Sequence, residues 1–417
     1  MLGLAATAVA EDAALPTPEK MWEILQAQQQ EIERLNARLE AAEAMVAATE
    51  EKVAATEEKI EATEEKIEAA GDMIEAQKTA DSGGDGWWQR TQLGGYGELH
   101  YNGGDADEIN FHRFVLFASH DFTDQLRMQS ELEVEHVIAG EGQNGEVELE
   151  QAFLEYDYTE GHRGRAGLFL LPVGILNETH EPPTFFGVER NPVEKNIIPT
   201  TWWEGGVGAS GVLGSGFSYD VAVHSGLATP TSGSSAYKIR NGRQKVSKAK
   251  ATDPAVTGRL KWTGAPGIEL AVTGQYQDDI TQNAQGLGTA ATLIEAHADI
   301  RRGPWGLRAL AARWDLDDGP PLTGPGAFGR DVQYGWYIEP SYRFDAEFSE
   351  IGLFTRYSEY DNEAGDSTDS KIGQFDIGAN VWLHPQVVLK VDGQFEFRPP
   401  GGSDEDNRIN LGIGYQF

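Results

Sequence analysis

The chain contains no cysteine among its 417 residues, which excludes a disulfide framework and thiolate metal sites. No stretch approaches the ~20 consecutive apolar residues that a membrane-crossing helix requires. Transmembrane strands stay open, because the lumen-facing half of a barrel strand is polar by construction. Basic residues are few: 33 Lys and Arg against 67 Asp and Glu give a formal charge of −34. Such a balance speaks against nucleic acid as a partner, since phosphates recruit Lys and Arg. Neither an H-E-x-x-H zinc motif nor a nucleophile elbow occurs, so no enzymatic activity, catalytic residue or cofactor is expected. One G-x-G-x-x-G match, Gly206-Val-Gly-Ala-Ser-Gly211, is followed by strand-like residues rather than the helix that dinucleotide binding needs. His224 and His297 lie on polar strand faces near carboxylates, an arrangement read as luminal histidines in water rather than a metal site.

What is present divides into two regions with different periods. The first ten residues are apolar and end in Ala8-Val-Ala10, which is expected to be the remnant of a cleaved export signal. Residues 11–86 carry 20 acidic and 7 basic side chains, a net −13 that leaves −21 for the rest. Leu25, Ile32, Leu39, Val46, Val53, Ile60, Ile67 and Ile74 recur at seven-residue spacing, with Gln28, Leu35, Ala42, Thr49, Thr56, Thr63 and Ala70 at the companion core position. The opposite frame would bury Glu43, Glu50, Glu57 and Glu64, at a prohibitive desolvation cost. Lys52 then faces Glu57, and Lys59 faces Glu64, of a parallel neighbour. β-Branched residues at one core position with Thr or Ala at the other suit a trimer better than a Leu-based dimer. Within the stalk over 11–80, the helix Met21–Gln77 would extend roughly 85 Å. A glycine-rich linker over 81–88 follows it.

From 89 onward the period becomes two. In 217–224, Phe217, Tyr219, Val221 and Val223 oppose Ser218, Asp220, Ala222 and His224; 292–301 and 387–398 alternate in the same way. The last strand-like run places Ile409, Leu411, Ile413, Tyr415 and Phe417 on one face and Arg408, Asn410, Gly412, Gly414 and Gln416 on the other. About sixteen such runs are found, joined alternately by short connections (214–216, 303–304, 384–385) and long ones (229–253, 279–290, 316–330, 360–370, 398–406). Lipid-facing apolar and lumen-facing polar residues in that rhythm predict an all-β transmembrane barrel of about sixteen antiparallel strands, behind an N-terminal parallel, trimeric α-helical coiled coil.

One connection is far too long for a turn. Pro172-Val-Gly-Ile-Leu-Asn-Glu-Thr-His-Glu-Pro-Pro-Thr-Phe-Phe-Gly-Val-Glu-Arg-Asn-Pro-Val-Glu-Lys-Asn-Ile-Ile-Pro-Thr-Thr-Trp202 mixes aromatic, aliphatic and charged residues, which argues for a functional loop rather than a disordered one. With Arg165-Ala-Gly-Leu-Phe-Leu-Leu171 before it and Trp203-Glu-Gly-Gly-Val-Gly208 after it, this stretch resembles the phosphate-selective porin O/P family of bacterial outer membranes, over roughly 90–417. The resemblance implies a sixteen-stranded trimeric barrel whose pore is narrowed by an inward loop, here 176–201. By that resemblance Glu178, His180, Glu181, Glu189, Arg190, Glu194 and Lys195 are candidate constriction charges.

The phosphate label sits uneasily with the strands. Inferred lumen positions include Glu131, Glu133, Glu135, Asp220, Glu269, Glu295, Asp299, Glu339, Glu350, Asp376, Asp392 and Glu396. Against these acids stand Arg259, Lys261, Arg301, Arg343, Arg356, Lys390, Arg398 and Arg408. Selectivity follows the sign of such rings, so weak cation preference or a mixed transverse field is expected. A basic cluster in the predicted outer loop, Lys238, Arg240, Arg243, Lys245, Lys248 and Lys250, would attract anions at the mouth or bind lipopolysaccharide phosphates. The expected protein is therefore a homotrimeric outer-membrane porin passing small hydrophilic solutes or ions, in contact with lipid and lipopolysaccharide. Its periplasmic stalk would reach toward peptidoglycan as a tether or spacer. The rival is a trimeric surface adhesin with a barrel anchor, disfavoured because so many strands lie in one chain.

Overall fold

The computed structural model describes residues 86–417, save 105–106, 283–287, 318, 320–321 and 400–404, and five single positions nearer the N-terminus (18, 22, 26, 29 and 36). The export-signal remnant, the coiled-coil core positions and most of the glycine linker lie outside the described residues. Residues Trp87–Phe417 form one compact unit.

Period-two alternation becomes strand wherever one face is apolar and the other polar. The first eight strands are β1 (Thr91–Gly103), β2 (Glu108–Asp121), β3 (Leu126–Glu135), β4 (Val147–Thr159), β5 (His162–Leu170), β6 (Trp203–Gly214), β7 (Phe217–His224) and β8 (Ala255–Ala265). They continue as β9 (Ile268–Gln277), β10 (Ala291–Arg302), β11 (Trp305–Leu316), β12 (Val332–Ala346), β13 (Ser349–Asp361), β14 (Ile372–His384), β15 (Val387–Phe397) and β16 (Arg408–Gln416). Each pairs antiparallel with its neighbours in sequence, and β1 pairs with β16, so the sheet closes into a sixteen-stranded barrel. Closure leaves no unpaired edge.

The outer face is apolar. Ile409, Leu411 and Ile413 are 63, 47 and 47 % exposed, while Asn410 between them is fully buried on the inner face. The same outward set recurs around the wall in Val221, Val223, Ile294, Ile338, Leu353, Val391 and Phe395. An apolar surface this extensive is compatible with lipid and not with water. The seam is locked at the last residue: Gly95 N donates to Phe417 O (3.0 Å) and Phe417 N donates to Gly95 O (2.8 Å). A Cβ at Gly95 would lie 2.2 Å from the Val115 carbonyl oxygen and 3.0 Å from the Phe417 ring.

One rim carries tight turns, including 160–161, 215–216, 266–267, 303–304, 347–348 and 385–386. The other carries the longer connections, among them 136–146, 225–254, 278–290, 317–331 and 362–371. The long connection expected over 229–253 begins earlier, because β7 stops at His224. The chain turns there at Gly226 (φ +76°), and Leu227 becomes fully buried in the interior.

The lumen is not uniformly wet. Residues 171–202, between β5 and β6, fold inside the barrel. Leu171, Val173, Phe185, Val193, Ile197, Ile198 and Trp202 pack there against inward-facing Phe153, Leu293, Leu310, Trp314 and Tyr337. Leu227, Tyr237, Ile239 and Ile280 from longer connections join the same cluster. Each large apolar side chain buried this way stabilises the barrel by about 1.5–3 kcal/mol. The expectation of a polar lumen therefore fails along β10–β12, where both faces of the strands carry apolar residues.

Candidate functional site: the inward loop and the two vestibules

Loop 171–202 crosses the lumen because the wall donates to its backbone at successive points. Arg113 donates to the His180 carbonyl (2.9 Å), Trp382 to Pro183 (3.1 Å), Arg308 to Thr184 (3.0 Å), Asn380 to Phe185 (2.9 Å) and Lys390 to Gly187 (2.8 Å). In return the Val188 N–H donates to Asp392 (2.6 Å). Further along, Trp314 Nε1 donates to the Ile197 carbonyl (3.0 Å). Buried carbonyls must find donors, so these contacts fix the path of the loop as well as its depth.

The wall makes room for it with glycine. A Cβ at Gly414 would meet Pro182 at 2.2 Å, and one at Gly352 would meet Phe186 at 2.8 Å. These inward glycines are a sequence-level signal of close approach that sorting residues by polarity passes over.

Among the expected constriction charges, Glu178 forms an ion pair with Arg259, which also holds Asp220 (2.8 Å). Glu189 accepts from Asn102 (3.0 Å) and is bonded to His100 (3.1 Å). Arg190 donates to Thr201 Oγ1 (2.8 Å), Lys195 is exposed, and half-buried Glu181 accepts the Thr184 N–H through its carbonyl (2.9 Å). Two expectations need correction. Glu194 is fully buried; its Oε1 accepts the Ile175 and Leu176 N–H groups (2.7 Å each), and its Oε2 accepts from Asn191 and Tyr337. It staples the loop to itself and does not face water. His180, 3 % exposed, is enclosed by Glu131 and Glu150 and likewise lines no water path.

The inferred lumen charges mostly meet partners of opposite sign. Arg356 lies between Glu339 and Asp376 at 3.0 Å each. Asp299 accepts from Arg308 (3.0 Å) and Arg301 (3.3 Å), while Lys261 approaches Glu269 to 3.6 Å. Arg343 pairs with Glu350 (3.3 Å), Arg398 with Glu396 (2.7 Å), and Arg408 with Asp406. Glu295 bonds His297 (2.7 Å) and Asp392 accepts from Asn410 (2.8 Å); Glu133 lies 3.8 Å from Arg113, and Glu135 is half-buried at the end of β3. Counting residues by sign thus overstates the acidic excess. Sequence reasoning missed Glu98, Arg113 and Arg308, whose importance comes from their partners: Arg113 donates to Glu98 at 2.6 Å.

Two cavities flank the loop. One of about 650 Å3 opens toward the short-turn rim and is lined by Glu178, Arg259, Lys261, Glu269, Arg301 and Arg343. Another of about 410 Å3 opens toward the long-loop rim, with Glu189, Arg190, Lys195, Glu396, Arg398 and Arg408 in its wall. Above it the outer-loop cluster divides. Lys245 pairs with Glu146 (2.7 Å) and Glu148; burial works against its charge, but these carboxylates prevail and raise its pKa. Arg240 and Arg243 instead donate to the Lys195 and Thr201 carbonyls of the inward loop. Burial, and then the neighbouring Arg243 and Arg190, pull Arg240 down to about 10, so it remains charged at neutral pH. Lys238 is half-buried, whereas Lys248 and Lys250 are exposed.

No protein-family model matches the sequence. An uncharacterized protein of Aquifex aeolicus (strain VF5) is 31% identical over 327 residues, covering 72% of this chain and 74% of that one. The chain belongs to the family of that protein.

Solved structures show the same fold. An anion-selective porin from Comamonas acidovorans matches with a TM-score of 0.54 at 16% identity, covering 78% of this chain and 99% of that one. Salmonella typhi OmpF in complex with daunomycin matches with a TM-score of 0.53 at 16% identity, over 78% and 97% of the two chains. The outer-membrane channel DcaP of Acinetobacter baumannii gives 0.52 at 15% identity, also over 78% and 97%. The chain shares the barrel fold of these outer-membrane proteins.

Proposed function

We propose that this protein is an outer-membrane porin that lets small hydrophilic solutes and ions diffuse passively, with loop 171–202 setting the bore. The observation that carries this reading is a loop pinned across a closed, lipid-compatible barrel, with a charged cavity on each side of it. It performs no chemistry; solutes move down their gradient. The segment 165–208 supports kinship with the phosphate-selective O/P porins, and the assembly is a homotrimer. On the side of the long connections, Arg190, Lys195, Arg240 and Arg243 gather at the loop, and none pairs with a carboxylate among the described residues. This gathering favours anions at the approach to the constriction. The stalk over 11–80 tethers or spaces the outer membrane from peptidoglycan on the periplasmic side.

Planar-bilayer recording of the purified chain tests the central claim. Discrete conductance steps, with a reversal potential in a salt gradient displaced toward anions, are expected; folded protein that gives no steps would overturn it. Deleting 21–77 should leave the conductance steps intact while changing envelope spacing in cells, and a closed channel in that variant would refute the division between stalk and barrel.

A further inference from the structure

Where the inward loop meets β3 and β4, three buried donor atoms converge without a hydrogen-bond partner. They are His180 Nε2, Glu131 Oε1 and Glu150 Oε2. All three lie within 4.8 Å of one another, and the imidazole nitrogen is 3.6 Å from each carboxylate oxygen. Their residues are 3, 2 and 1 % exposed.

Two other atoms of the cluster, His180 Nδ1 and Glu131 Oε2, are already engaged. His180 Nδ1 lies 3.1 Å from the Asn177 carbonyl, which can only accept, so Nδ1 carries a proton. In the neutral ring Nε2 is then a bare lone pair aimed at two carboxylates. Glu131 Oε2 is satisfied by Gln151 (2.6 Å). Arg113 is committed to Glu98 (2.6 Å) and the His180 carbonyl (2.9 Å), and only approaches Glu133, at 3.8 Å. Arg113 and Arg190 lie in the same region, yet among the described residues no cation comes within hydrogen-bond distance of Glu131, Glu133 or Glu150, and buried acids without such a partner are costly.

A metal ion answers both the geometry and the charge. Two donors ~2.1 Å from one ion at a tetrahedral angle lie about 3.4 Å apart, close to the separation seen. An imidazole whose far nitrogen is fixed on a backbone carbonyl is the usual state of a metal-bound histidine. Mixed nitrogen and carboxylate donors suit divalent first-row ions.

We propose that Glu131, Glu150 and His180 bind a divalent transition-metal ion such as Zn2+, which fastens the inward loop to the barrel wall. The site goes beyond the porin reading and stands whether or not the barrel conducts.

The test uses the full chain folded in detergent and stripped with EDTA, titrated with ZnCl2 alone by calorimetry. One ion per chain should bind, with a higher Tm in the zinc-loaded protein. His180→Gln should abolish both effects, and Glu131→Gln or Glu150→Gln should weaken binding roughly tenfold or more. Absence of stoichiometric binding in the unaltered chain would overturn the proposal, as would zinc uptake by folded His180→Gln at wild-type affinity. Should the variants fail to fold, X-ray absorption at the zinc edge of the loaded wild-type chain decides. One imidazole with carboxylate oxygens supports the site, and an all-oxygen shell refutes it.

Discussion

Along β10–β12 the inward loop meets the wall mainly through apolar side chains, with Arg308 and Trp314 the donors to its carbonyls there, whereas along β13–β16 and β1–β2 the wall reaches it mainly through such donors. Ile197, Ile198 and Trp202 rest on Leu293, Leu310, Trp314 and Tyr337 on the first flank. On the second, Arg356, Asn380, Trp382, Lys390 and Arg113 each hold a main-chain oxygen, with a small aromatic patch where Phe186 stacks on Phe354 (5.2 Å). Apolar packing is non-directional and holds the loop in the lumen. Hydrogen bonds are directional, and they decide which residue faces which. One flank supplies depth, the other register.

The largest effect should come from the apolar flank. Trp202→Ala removes a fully buried ring and its Nε1 donation to Glu204 (2.9 Å), and should lower unfolding free energy by about 4 kcal/mol in urea titrations of the detergent-folded barrel. A loss below about 1 kcal/mol would show that the lumen there is wet rather than packed.

Next is Arg356→Met, expected to cost about 3 kcal/mol because it strands Glu339 and Asp376 without their cation. Replacing both acids as well, with Glu339→Gln and Asp376→Asn, should recover most of the loss. If the triple variant is no more stable than the single one, the pairing is not what holds that flank.

Glu194→Gln should cost about 2 kcal/mol, since the amide keeps an acceptor for Ile175 and Leu176 but sets a donor against Asn191 and Tyr337. Its conductance should be altered through loop looseness, visible as added current noise, and not through lost pore charge.

The smallest effects separate the two halves of the basic outer loop. Arg240→Gln with Arg243→Gln should shift the reversal potential toward cations, whereas Lys248→Gln with Lys250→Gln should leave it unmoved in 0.1 M salt or above, where exposed charges are screened. Equal shifts from the two pairs would mean that net loop charge, rather than contact with the constriction, governs permeation.

Much of the wall was legible because alternation is a local property. About sixteen runs could be bounded to within a few residues, and the last of them is the strand that pairs with β1. The inward loop was legible from its length and its aromatic content. Three things were not. Trp314 and Leu310 face inward on a strand whose outward face is apolar at Trp305, Leu307, Ala309 and Ala311 but charged at Arg313 and Asp315, so alternation alone does not tell a dry lumen from a wet one. Glu194 reads as a loop charge until its two N–H donors, 18 and 19 residues away, are placed beside it. Arg113 and Glu98 lie directly opposite one another on β2 and β1, and nothing in either strand's own pattern announces that pairing.

Gly352 and Gly414 have a consequence for how the channel can change over time. Where a wall glycine sits beneath Phe186 or Pro182, any heavier residue lifts the loop instead of decorating the lumen. The aperture is therefore tuned from the strands as much as from the loop, and a graft of the loop into a sibling barrel lacking those two gaps would give a pore of different calibre from the same loop sequence.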